Sequence, residues 1–479
     1  MSSACEAFDS RDGADRPRVA GGPSLASVTP DAGHNRARAW LDGVRTRLWP
    51  VPVAGIAVAV VSGVLLPEID RWLQSTGRWS STTYLFGGGA DAARTVLSAV
   101  SGSLVTMTSL TFSLTVVTLQ LASSQYSPRL LRTFTRDAVV QGTLALFLAT
   151  FSYALTVLRV VRSDVGSTAA EFVPRLSVTV AFALAVASVV ALVLFLAHLT
   201  REIRVETVLA RVHQEAADVI RRVFPPTTEP VASPVPEAPA GRVFQLPAPT
   251  SGFVTAIDHA ELLDVAADLR LVVHIDVPVG DFVVAGLPVG RAWQVGNATT
   301  DRPGSPPDRR SLGRLTATLT VGRERTSVQD VAFGLRQITD IVSRALSPGV
   351  NDPTTAAHGL GWASVLLVDL AGRRCGPDVL VDDDSGITVV VARPSFAALV
   401  DVALDQPLLY GRDDPQVMGR LIGVLHDLAR AVGGPAGRIT VRAHLCQVRA
   451  AVDAGGLPER ERRRLGEACD RVGAVLDAG

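Results

Sequence analysis

Four long apolar runs occupy the first half of the chain, and shorter alternating or helical patterns occupy the second. Leu48 to Leu66, the stretch from Ser103 up to Arg129, Val139 to Leu158 and Leu176 to Leu199 are each close to the roughly 20 residues that a helix needs to cross a bilayer. Pro50 and Pro52 fall in the first turn of the first run, where proline is tolerated, and Pro67 is expected to end it. The fourth run is the plainest: uncharged and rich in Val, Ala and Leu.

The second run differs in kind. On a helix, Leu110, Leu114, Val117 and Leu121 form one stripe, and Thr108, Thr111, Thr115 and Thr118 form another beside it. The leucine stripe suits lipid or a neighbouring helix. The threonine stripe has two readings. Hydroxyls let helices approach and hydrogen-bond across a contact, or turn back onto the carbonyl four residues earlier. Alternatively they line a polar path, to which Gln120 and Gln125 would add amides that are harder to hide. Arg129 and Arg132 follow, as a cytoplasmic mouth or as contacts to anionic lipid headgroups.

After Leu199 a charged helix is expected from Glu202 to Phe224, with Val205, Val208, Leu209, Val212, Val219 and Ile220 as a partial stripe. Residues 225–241 read as a proline-rich linker. From Arg242 short strands are expected at Phe244 to Leu246, Phe253 to Ile257, Leu269 to Val277 and Phe282 to Ala285, with a helix at His259 to Ala267 and a further strand from Leu315 to Val321. Ser327 is expected to cap a helix running to about Leu346, and Asp352-Pro353 to start another that stops at Gly372. A hairpin around the Asp382 to Gly386 turn and four more helices complete the chain. The fold class expected is therefore four transmembrane helices followed by a cytoplasmic α+β domain: a disordered tail over 1–35, the membrane part with its helical exit over 36–224, the linker, and the α+β domain over 242–479.

Composition narrows the chemistry. None of the 46 basic residues is lysine, so Schiff-base, P-loop-lysine and lysine-borne carrier chemistry are excluded. Net charge is zero, giving no attraction to nucleic acid. The four cysteines show no C-x-x-C spacing, and paired histidines at metal-binding spacing are absent, so no cofactor is expected. Arg-rich flanks before the first run, around Arg129 to Arg136 and after Leu199 fall on one side if there are four spans, which places both termini in the cytoplasm of a bacterial cell, with the bilayer as partner.

The strings T-F-S-L-T-V-V-T-L-Q-L-A-S-S-Q-Y-S-P-R-L-L-R-T-F at Thr111 to Phe134 and D-I-V-S-R-A-L-S-P-G-V-N-D-P-T-T-A at Asp340 to Ala356 are distinctive. Together they resemble the bacterial family of predicted membrane proteins catalogued as domain of unknown function 2254. The resemblance implies an N-terminal multi-span part and a soluble C-terminal part, and supplies no catalytic residues.

The second string holds the other candidate site. Asp352 can cap a helix whose free N–H groups, with Thr354 and Thr355, could hold an anion, although the cap carboxylate competes for that position. Gln337, Asp340 and Arg344 share a face of the preceding helix, and Asn351 lies in the turn. A ligand or partner site and a self-capped joint are both open readings. No nucleophile, base and orienter set is visible, so the chain is not expected to be an enzyme. Two functions remain: an oligomeric channel or transporter built on the polar second span, with several chains contributing one such helix each, and a membrane-anchored sensor or scaffold whose cytoplasmic domain binds a partner.

Overall fold

A computed structural model describes residues 49–75, 86–125, 137–161, 172–202, 204–227, 235–236, 242–294 and 307–478. The expected tail, Arg129, Arg132 and most of the linker lie outside these residues. Four helices are long and apolar enough to cross a membrane: α1 (Pro50–Ser75), α2 (Ala90–Gln125), α3 (Ala138–Leu158) and α4 (Arg175–Glu202). A mixed α/β region follows them. In the bundle, α3 packs against α1, α2 and α4. Leu97, Leu104, Phe147, Tyr153, Val157 and Val178 are buried between the helices. Val58, Phe112, Phe182, Val193 and Leu194 face outward. A continuous apolar exterior is what lipid solvates and water does not. Small residues set the spacing: a Cβ on Gly63 of α1 would lie 2.8 Å from Thr156 Cβ of α3.

Two boundaries differ from the sequence pattern. Pro67 sits inside α1, which continues to Ser75. The extension carries Asp70, 1% exposed, whose carboxylate accepts hydrogen bonds from the Leu176 and Ser177 amides and the Ser177 hydroxyl at 2.7–3.0 Å. It satisfies the free N–H groups that open α4, so the polar residues after Pro67 belong to the helix rather than to a loop. The second span likewise begins at Ala90, well before Ser103.

Helix α5 (Val205–Val223) starts after the extended Arg204, and its Arg211 pairs with the buried Glu202 at the end of α4. Its stripe of Val208, Leu209, Val212, Val219 and Ile220 joins the core of a helical unit. That unit comprises α8 (Val331–Ala345), α9 (Pro353–Ala371), α10 (Phe396–Gly411), α11 (Pro415–Ala431), α12 (Pro435–Ala454) and α13 (Glu459–Ala478). A Cβ on Gly334 would come within 2.4 Å of Ala216 Cβ, so α8 crosses α5 at backbone distance. The residues after α5 are pinned too: Arg374 N donates to Pro225 O at 3.0 Å, Thr227 N to Gly372 O at 3.0 Å, and the Arg373 guanidinium to Phe224 O at 2.8 Å. The start of the expected linker is therefore bound to the end of α9.

The β unit has strands β1 (Phe244–Pro247), β2 (Gly252–Ile257), β3 (Leu271–Ile275), β4 (Phe282–Val283), β5 (Pro288–Gln294), β6 (Leu319–Gly322), β7 (Asp378–Val381) and β8 (Thr388–Val391). They form a five-stranded sheet, β1-β5-β3-β8-β7, and a three-stranded sheet, β4-β2-β6. Every pair is antiparallel except β3 with β8. Helices α6 (His259–Leu269) and α7 (Arg309–Ala317) accompany the sheets, burying Leu262, Val265 and Leu315 in the shared core. The strand expected from Leu315 is thus α7 followed by a short β6. Asp308 caps α7 by accepting from Ser311 N at 2.8 Å, and the i,i+3 pair Leu312 and Leu315 faces the core, a helical period rather than a strand period. The cap of α8 is likewise Asp330, not Ser327. The Ser327 hydroxyl instead bonds the Glu215 carboxylate of α5.

Candidate functional site

On α2 the two stripes face as expected for lipid outside and helices inside. Leu110 and Val117 are exposed, Thr111 and Thr118 are buried, and Thr108 and Thr115 are half-buried. Three hydroxyls turn onto their own backbone: Thr108 donates to Leu104 O, Thr115 to Thr111 O and Thr118 to Leu114 O, all within 2.7–2.8 Å. Their polarity is consumed inside the helix. Thr111 differs: it is fully buried and its hydroxyl has no hydrogen-bond partner. Gln120 is exposed, and Gln125 is in the last turn of α2 with its side chain outside the described set. Next to this end of the bundle, Asp137 caps α3 through one oxygen, while the other lies 2.6 Å from His198 Nε2 on α4.

The α8–α9 joint closes on itself. Asp352 accepts from the Thr355 amide at 3.0 Å and the Thr355 hydroxyl at 2.6 Å, which holds its carboxyl below the usual range. Asp352 N donates to Ala345 O at 2.8 Å, and Asn351 N to Ser347 O at 2.9 Å. Asn351 takes the left-handed conformation (φ 48°) that asparagine tolerates. Gln337 is buried in α8; Asp340 is half-buried, and Arg344, Asn351 and Thr354 are exposed around the joint. The residues expected to converge are split between a buried helix face and an exposed turn, and the cap carboxylate already holds the helix N-terminus.

A cavity of about 270 Å³ lies elsewhere, where the helical and β units meet. It is lined by Arg222 and Val223 of α5, His259 at the start of α6, Val279, Val328, Gln329 and Val331 at the approach to α8, and Val391 to Pro394 after β8. Local chemistry fixes each wall. Gln329 bonds Ile257 through both ends of its amide, Oε1 accepting from N at 2.9 Å and Nε2 donating to O at 3.1 Å. Asp330 caps α8 and pairs with Arg325 at 2.7 Å; burial pushes its carboxyl up, against the lowering effect of Arg325. The Val279-Gly280 turn folds over this pair. A Cβ at Gly280, whose φ is +102°, would meet Asp330 Oδ2 at 2.3 Å, so the turn requires glycine.

The polar wall is cationic. The mostly buried Arg393 guanidinium bonds Asp378 at 2.5 Å, and His259 Nδ1 lies 4.0 Å from the same carboxylate. Burial first, and the Arg393 charge second, push the His259 imidazole below its ordinary value. Arg222 is exposed at the rim and donates to the Asp218 carbonyl on its own helix. Asp378 pairs with Arg393 and lies near His259, while Arg222 adds a second guanidinium to the lining with no carboxylate partner among the described residues. This arrangement can hold a small anion beside apolar valines. Nothing in the linear pattern pointed here, because the three residues are far apart in sequence. The available signals were the R-R-V-F end of α5 and the arginine after the β8 valines, each ordinary alone.

A family model described as "Predicted membrane protein (DUF2254)" matches residues 45–427. Uncharacterized proteins of Mycobacterium bovis and of two Mycobacterium tuberculosis strains are each 34% identical over 464 residues, covering 96% of this chain and 87% of the relative. No solved structure matches the chain.

Proposed function

This chain belongs to the family of predicted membrane proteins with domain of unknown function 2254, and on that footing we propose that it is a membrane-anchored sensor for a small anion. The anion occupies the cavity between the two units, and α5 carries its presence to the spans. The observation that supports this reading is the double role of α5. It is the next helix after α4, packs through the helical core, and ends in Arg222 and Val223 on the cavity wall. The α/β region is read as cytoplasmic, with both termini on that side, from the arginine-rich flanks. The chain acts by binding rather than by catalysis.

The probe is inorganic pyrophosphate, titrated into the full chain in nanodiscs. Expected is saturable binding that Arg222→Gln weakens roughly tenfold, about 1.4 kcal/mol, near the low end for one charged hydrogen bond. The pH dependence has a definite sign. Since the folded pKa of His259 is lowered from 6.5, the unfolded chain takes up that proton first, and stability falls as pH drops below 6.5. A bound anion favours the protonated ring, so affinity rises over the same interval, and His259→Gln flattens the slope. Binding that is indifferent to both substitutions would remove the cavity from the proposal.

A second reading keeps a polar path at α2 in a homo-oligomer. The buried, unpartnered Thr111 hydroxyl favours it, because such a group is costly unless water or another chain reaches it.

A further inference from the structure

Asp401 and Asp405 lie one helical turn apart on α10, with their carboxylates on the same face. His444 of α12 points into the space between them: its Nε2 is 3.1 Å from Asp401 Oδ1 and 3.8 Å from Asp405 Oδ1. One candidate ligand atom from each residue lies within 4.8 Å of the others. The carboxylates are more than half exposed, whereas His444 is 5% exposed, so the imidazole forms the floor of a cup that opens to solvent.

The imidazole supplies the observation that singles this cluster out. Its Nδ1 is 3.0 Å from the Thr440 carbonyl. A carbonyl only accepts, so Nδ1 carries the proton, and in the neutral ring the lone pair is on Nε2. That nitrogen is buried and has no hydrogen-bond partner; the Asp401 oxygen is near, but not placed to accept a bond from it. Three electron-pair donors therefore converge with no donor hydrogen between them. A backbone carbonyl that fixes the tautomer and leaves Nε2 free is the usual support of a metal-bound histidine. Two ligands about 2.0–2.1 Å from one tetrahedral ion sit roughly 3.3 Å apart, close to the 3.1 and 3.8 Å that separate Nε2 from the two carboxylates.

We propose that Asp401, Asp405 and His444 form a binding site for a divalent transition-metal ion, with its remaining coordination positions open to water. One imidazole and two carboxylates suit zinc-like ions better than magnesium or calcium, which prefer all-oxygen shells. The ion would tie α12 to α10, and its site is separate from the cavity. The inference stands independently of the sensor reading. The linear pattern hid it because the carboxylate pair is spaced i,i+4 and its imidazole lies a helix and a half further on.

The test uses the full chain in nanodiscs, stripped with chelator and titrated with Zn²⁺. Wild type is expected to bind one more zinc per chain than Asp401→Asn or His444→Gln, with affinity at that site falling at least tenfold in either variant. All three proteins keep the exposed Cys446, so zinc held by that thiol cancels in the comparison. Asp401 is solvent-exposed, so its variant reports on the site even if the histidine variant does not fold. Co²⁺ in place of zinc should give visible bands of nitrogen and oxygen ligation without thiolate charge transfer, again lost in Asp401→Asn. Equal zinc stoichiometry and affinity in wild type and Asp401→Asn, or no zinc bound by the wild type, overturns the proposal.

Discussion

At the scale of single residues, capping carboxylates organise this chain. Asp70, Asp330 and Asp352 each satisfy the first amides of a helix, and Asp70 does so across the bundle, from α1 to α4. Asp70→Ala leaves the Leu176 and Ser177 amides and the Ser177 hydroxyl without that acceptor in a water-poor setting. Losing the acceptor for one buried donor costs about 1–3 kcal/mol, so a drop of several degrees in the apparent unfolding temperature in nanodiscs is expected. An unchanged midpoint would mean that α1 and α4 do not depend on this cap. Capping of this kind is partly legible from sequence. Asp352 announces itself through the proline beside it and the threonine three residues on, and the structure has the expected helix start. Asp70 does not, because its amides belong to a helix more than 100 residues away.

At the scale of elements, α2 shows what periodicity can and cannot say. The pattern separates the leucine stripe from the threonine stripe; the structure exposes Leu110 and Val117, buries Thr111 and Thr118, and packs Leu114 against the bundle. It cannot say where hydroxyl hydrogens go; the internal bonds of Thr108, Thr115 and Thr118 emerge only with the carbonyls in place. Single cysteines at positions 108, 111, 115 and 118, in a background lacking the native cysteines, are expected to resist a membrane-impermeant thiol reagent. Labelling at 111, with none at exposed lipid-facing positions such as 110, would instead support the polar path. The strand expected from Leu315 fails for a related reason. Period alone is ambiguous over so short a run, and the Asp308 cap tips it to helix.

At the scale of the molecule, α5 is the helix that leads from the four apolar helices into the helical unit and on to the cavity beside the β unit. The four apolar runs and most helices of the second half were legible because they rest on run length and local period, whereas β5 (Pro288–Gln294) was not expected. The cavity and the carboxylate–imidazole cluster were not, because each gathers residues from elements distant in sequence. On the proposed sensor reading, α5 couples the cavity to the spans through the Glu202–Arg211 pair at its base. Hydrogen exchange of the full chain in nanodiscs, with and without pyrophosphate, tests it most directly. Slower exchange is expected at 220–223 and 391–394 together with altered exchange at 197–202, and Arg211→Gln should abolish the second change while sparing the first. Protection around the cavity with unaltered exchange at the end of α4 would contradict it.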